Sequence, residues 1–176
     1  MQRFEYNGEK YLFNGKRWLT SSYTAVPTSL VNALNKLLLS EEDFDSQDVA
    51  TLIEKGAKYK DGENFQLAIK CFEKALEKAD VDELKNLLPR LMSCYRKVGR
   101  TTDTINTGTH YLDVYGGGIV NPAFFTSLGA AYADIEDYET ARMYANKARG
   151  LSGAEASGEL ISLYARLKKF DGGVEI

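Results

Sequence analysis

At 176 residues the chain is long enough for one domain, or for one array with a small appendage, and a hydrophobic fraction of 44% lets it bury a sizeable core. A formal charge of -3 and a pI near 5.3 provide no basic field for a phosphate backbone or an anionic lipid surface, which excludes nucleic acid and membranes as default partners. Cys71 and Cys94 form neither a disulfide framework nor a metal-ligand pattern, so reduced, buried thiols and no metal are expected. The opening Met-Gln-Arg-Phe-Glu-Tyr-Asn-Gly lacks the apolar segment of a signal peptide, and the longest leucine run is Leu37 to Leu39. A soluble, cytoplasmic protein is the expectation.

Residues 1–26 form the first segment. Phe4, Tyr6, Tyr11, Phe13 and Trp18 alternate with polar residues, punctuated by Asn7-Gly8 and Asn14-Gly15. Asn-Gly supplies the two positive φ angles of a type I′ hairpin turn. Three antiparallel strands are predicted, at Phe4 to Tyr6, Glu9 to Phe13 and Lys16 to Leu19. Such a meander is too small to stand alone. Its aromatic rings either bury against the helices that follow or leave one face exposed as a second contact surface or a dimer seam.

Residues 27–48 hold a helix after Pro27, with Thr28 or Ser29 as capping oxygen and Leu30, Val31, Leu34, Leu37 and Leu38 at three- and four-residue intervals. The run Ser40 to Asp45 reads as a solvated acidic loop, leading to a new helix start near Ser46 to Asp48.

From Val49 the pattern repeats. Gly56, Tyr59, Phe65, Ala68, Phe72, Ala75 and Leu76 fall at intervals that suit two tightly packed helices, with the polar segment Asp61 to Asn64 between them. Gly56 in a helix interior costs about 1 kcal/mol relative to alanine, so close packing is its expected reason. Tyrosines at 59, 95, 132 and 164, spaced 36, 37 and 32 residues apart, carry the period onward. The unit around Tyr132 keeps Phe125, Leu128, Gly129, Tyr138, Ala141 and Ala148, opened by Asn121-Pro122. The unit around Tyr95 departs: Thr104, Gly108 and Tyr111 stand where small, large and small residues are expected, which reads as an exchanged knob and hole within one helix. Gly116-Gly117-Gly118 reads as a helix stop and linker; no Gly-Lys-Ser/Thr follows to make it a phosphate loop.

In Gly56, Tyr59, Ala68, Phe72 and Ala75 the chain resembles the tetratricopeptide repeat (TPR) family, and the resemblance covers residues 49 to about 170. It implies an all-α, right-handed α-solenoid of antiparallel helix hairpins, a TPR-like superhelix carrying the N-terminal β-meander. Three units are implied at 49–84, 85–121 and 122–153, followed at 154–176 by a capping helix made polar by Glu159, Arg166, Lys168 and Lys169.

The resemblance also implies function: a non-catalytic scaffold or adaptor whose concave groove, lined by the first helix of each unit, binds a peptide or partner helix. The residues it places there are Ala50, Ile53, Ala57 and Lys60 in the first unit, Asn86, Arg90, Ser93, Arg96 and Lys97 in the second, and Ala123, Thr126, Ala130 and Asp134 in the third. Asn86, Arg90, Ser93 and Lys97 share one helical stripe, a basic strip suited to an acidic protein or peptide segment. Ile53 and Ala57 stand where some family members hold a chain terminus with lysine and asparagine, so that clamp is not expected. A second reading is a regulatory or targeting module that self-associates as a homo-oligomer through the meander. A third, a small enzyme using His110 or Cys94, lacks a partner constellation for either residue, and neither a catalytic residue nor a cofactor is expected.

Overall fold

The computed structural model describes residues 1–153 and 155–170, and the chain divides into two compact units, Met1–Ala79 and Asp80–Ile176. Three strands, β1 (Gln2–Tyr6), β2 (Glu9–Phe13) and β3 (Trp18–Thr20), pair antiparallel in the order β1-β2-β3. The first turn is of the predicted kind, with Asn7 at φ 52 and Gly8 at φ 79. The second is not a two-residue turn. Phe13 pairs with Trp18 across a four-residue loop, and the Asn14 side chain accepts from the backbone N–H groups of Lys16 and Arg17 at 3.0 and 2.9 Å.

The first unit continues with α1 (Thr28–Ser40), α2 (Val49–Asp61) and α3 (Phe65–Leu76). Pro27 occupies the cap position of α1 and no side chain caps it, so the capping oxygen expected of Thr28 or Ser29 is not used. The meander lies on the helices through its aromatic face. Trp18 is 3% exposed, packs against Phe4 and Phe13, and donates its indole N–H to Asn35 of α1 at 2.8 Å; Phe13 meets Tyr59 of α2. Asn35 in turn exchanges two amide hydrogen bonds of 2.9 Å with Asn64, which caps α3, so the indole and both amides brought into this core have partners. Burial of the rings selects the packed alternative for the meander's aromatic face.

The acidic run after α1 is less solvated than expected. Phe44 is buried, Glu42 accepts from Lys55 at 2.8 Å and Gln47 at 2.9 Å, and the ammonium of Lys78 donates to the carbonyls of Phe44, Asp45 and Gln47. Three carbonyls satisfy the three donors of one lysine and hold the α1–α2 connection in place.

The second unit contains α4 (Val81–Lys97), α5 (Thr101–Tyr115), a 3₁₀ turn at Gly116–Ile119, α6 (Pro122–Asp134), α7 (Tyr138–Ser152) and α8 (Gly158–Phe170). Four of these five helices start on a side-chain cap or an arrangement like it: Asp80 with Glu83 in a reciprocal box, Asn121, Asp137 and Ser157. Ala154 lies outside the described residues.

The hairpins α2–α3, α4–α5 and α6–α7 share one turn. Its middle residue has positive φ in each case: Glu63, Gly99 and Glu136 at 60°, 77° and 64°. The next residue donates its N–H to the carbonyl of the recurring tyrosine: Asn64 to Tyr59 at 2.9 Å, Arg100 to Tyr95 at 2.8 Å and Asp137 to Tyr132 at 3.0 Å. The tyrosine spacing is therefore the spacing of a repeated backbone turn, as well as of a packed ring.

The small residues are explained by their neighbours. A Cβ on Gly56 would run into the ring of Phe72, which is fully buried against it. Around Gly108 the expected exchange with Tyr111 does not occur. Leu128 of α6 and Met92 of α4 fill the space, while Tyr111 is half-buried and stacks on Tyr115 at 5.9 Å. Thr104 is fully buried because its hydroxyl donates to the carbonyl of Met92 at 3.0 Å.

Candidate functional site

In the second unit the first helices of successive hairpins, α4 and α6, and the terminal helix α8 enclose a concave pocket of about 570 Å³. The repeating tyrosine gives each helix the same frame. Two residues before Tyr95, Tyr132 and Tyr164 stand the small side chains Ser93, Ala130 and Ser162; two residues after them stand Lys97, Asp134 and Arg166. Small residues at one level leave room between the helices, and charged residues at the next form its rim.

Asp134 joins the rim together. It accepts from Arg96 at 2.7 Å (Nε to Oδ2) and 3.2 Å (Nη2 to Oδ1), and from Arg166 at 2.8 Å (Nη1 to Oδ1). Partial burial pushes its carboxyl pKa up, but the hydrogen bonds and charges of the two guanidinium groups together outweigh that and hold it below the usual carboxylate range. One carboxylate thus orients two arginines from different helices. With Lys97 exposed beside them and Glu159 opposite, the pocket keeps a small positive excess.

Of the residues expected in a groove, Ser93, Arg96, Lys97, Thr126 and Ala130 line this pocket, and Asp134 ties its arginines. Thr126 is 2% exposed and donates its hydroxyl to Pro122, so it serves as wall rather than as a free polar contact. Asn86 and Arg90 are bonded to each other along α4 at 3.1 Å and do not line it; Ala123 does not line it either. Ile53, Ala57 and Lys60 are half-buried on α2 in the first unit, and Ala50 is exposed there. Ser127, Gly158, Glu159, Ser162, Leu163 and Arg166 complete the pocket without having been predicted for it. The signal was present: counting from Tyr164 as from Tyr95 places Ser162 and Arg166 level with Ser93 and Lys97.

His110 is exposed on α5, edge-on to Tyr111 at 5.2 Å. Cys94 is fully buried, and burial pushes the Cys71 thiol up to about 12, which keeps it protonated and unreactive at neutral pH. Among the described residues no group of three or more His, Cys, Asp or Glu side chains is placed to hold a metal ion, and no helix is long and apolar enough to cross a membrane.

Repeated helix hairpins with a common turn and a tyrosine anchor, two of them with a glycine at the close contact (Gly56 and Gly129), define a TPR-like helical-repeat fold, with a small antiparallel sheet at its N-terminal end. Comparison of structures agrees. The chain is similar to the TPR domain of Sgt2 from Aspergillus fumigatus, with a TM-score of 0.61 and 18% identity over 71% of this chain and 80% of that one. It is also similar to a chain in the Sec complex from S. cerevisiae, with a TM-score of 0.52 and 16% identity over 96% of this chain and 100% of that one. At such identities the likeness is one of fold. No protein-family model and no curated protein matches the sequence.

Proposed function

We propose that this chain is a non-catalytic protein-interaction module, a scaffold or adaptor, and that an extended peptide or a partner helix occupies the α4–α6–α8 pocket. The observation that carries this reading is the pocket itself: a cavity of about 570 Å³ lined by small side chains and edged by Arg96, Lys97 and Arg166. Concave, partly apolar sites with a few oriented polar groups are where proteins take ligands. The positive excess favours an acidic or mixed segment, whose carboxylates would meet guanidinium groups already held in position by Asp134. A soluble, cytoplasmic setting belongs to the same proposal.

The test fills the pocket and reverses its rim without touching the core. Both Ser162 and Lys97 are exposed, so a Ser162→Trp, Lys97→Glu variant should melt like the parent. Pull-downs with the parent should recover partners that this variant loses, and an acidic fluorescent peptide library should lose its binders in parallel. Retention of every partner by a folded variant would place the interaction elsewhere.

A further inference from the structure

The sheet of the first unit has an open strand edge. Strand β1 forms one edge of the sheet, and among the described residues only β2 pairs with it. Because Tyr6 and Glu9 flank a two-residue turn, they form a hydrogen-bonded pair, and so do Phe4 with Tyr11 and Gln2 with Phe13. The backbone N–H and C=O groups of Arg3 and Glu5 therefore point to the open edge. Their side chains are exposed, on the face opposite the buried ring of Phe4. Beside Tyr6 a shallow groove of about 600 Å³, lined by Ser29, Asn32, Ala33, Lys36 and Leu37, leaves space between the end of this strand and α1.

We propose that the open edge of β1 pairs with β1 of a second copy of this chain, antiparallel about a two-fold axis through Phe4. In that register Arg3 faces Glu5 of the other copy and Glu5 faces Arg3, once on each side of the axis. The two outward-facing residues supply the ladder hydrogen bonds, and their side chains lie directly opposite on one face as two pairs of opposite charge. A shift of two residues in either direction sets Arg3 against Arg3 or Glu5 against Glu5. Charges on an edge strand normally prevent indiscriminate pairing; here they permit one register and oppose its neighbours.

Sedimentation velocity and light scattering on the full chain across a concentration series test this. The parent should show a reversible monomer–dimer equilibrium. Arg3→Glu puts like charges at both pairs, as does Glu5→Arg, and each single variant should weaken dimerisation at least about tenfold. Mixing the two variants sets a strand with two carboxylates against a strand with two guanidinium groups, which restores opposite charges at both pairs, and association should return as a heterodimer. The Arg3→Glu, Glu5→Arg double variant should dimerise as the parent does. Glu5→Pro removes an edge N–H that the sheet itself does not use, so it should abolish dimers while leaving the Trp18 emission unchanged. A parent that stays monomeric to its solubility limit, single variants that dimerise undiminished, or a mixture that fails to associate would each overturn the proposal.

Discussion

The side-chain amide of Asn121 donates to the backbone carbonyl of Lys85 at 2.9 Å. Lys85 lies four residues before Pro89, which sits inside α4 without an N–H to offer that carbonyl. The same Asn121 caps α6, accepting from Phe124 at 2.8 Å. One amide therefore makes good the loss at the proline and fixes the start of the next repeat's first helix against it.

Removal of that amide separates the two roles. Asn121→Asp keeps the cap and loses the donor, whereas Asn121→Ala loses both and should cost about 1–3 kcal/mol. Pro89→Ala restores an N–H for Lys85, so in that background the cost of Asn121→Asp should fall towards zero, while Asn121→Ala still costs the cap. Thermal unfolding of the parent, Asn121→Asp, Pro89→Ala and the Pro89→Ala, Asn121→Asp double variant measures the coupling. An Asn121→Asp protein as stable as the parent would show that the carbonyl bond contributes nothing.

Acid should loosen the rim of the pocket. The folded pKa of Asp134 lies below its unfolded value of 3.8, so the stability it contributes is complete above that value and is lost as pH falls through the lower, folded one. Glu42, held low by Lys55 and Gln47 against the opposing effect of burial, behaves in the same way from 4.5 downward. Urea unfolding between about pH 6 and about pH 2 should therefore fall less steeply for Asp134→Asn than for the parent. Equal slopes would mean that the arginine pair does not perturb this carboxylate.

The shared turn makes a prediction about conformation alone. Glu63 and Glu136 adopt a backbone conformation that glycine occupies without strain, and Gly99 already is one. Glu136→Gly should stabilise the protein, or cost nothing, within about 0.5–1 kcal/mol. Gly99→Ala, where nothing lies within reach of a new Cβ, should cost about 1 kcal/mol purely from φ. Denaturant titration distinguishes these signs, and a neutral Gly99→Ala would show that the turn tolerates strain.

Two glycines test rigidity against flexibility. Gly56→Ala forces a methyl into the ring of Phe72 and should cost about 1–3 kcal/mol, largely recovered when Phe72 is also changed to Leu. Gly108→Ala meets only the terminal methyls of Leu128 and Met92, at 2.9 and 3.0 Å, which can turn aside, so its cost should be smaller. Gly108→Phe exceeds any such adjustment and should lower the melting temperature by several degrees. The order Gly56→Ala worse than Gly108→Ala is the outcome to check by calorimetry.

Much of this protein is legible in its residues because local physics specifies it. Tyrosine spacing, capping residues at Asp48, Asn64, Asp80, Asn121 and Asp137, and the Asn7-Gly8 turn each act within a few positions, so hairpins and meander follow from the sequence. The close approach at Gly56 was also predictable, as a small residue demanding a large neighbour. Tertiary structure alone decided what fills each space and which charges meet. The space at Gly108 belongs to Leu128 and Met92, Asp134 draws Arg96 and Arg166 together from helices far apart in sequence, and Arg90 turns along its own helix to Asn86. Helical periodicity says which face a side chain occupies; it does not say which partner on the facing helix lies within hydrogen-bonding reach, because that depends on how the helices are packed.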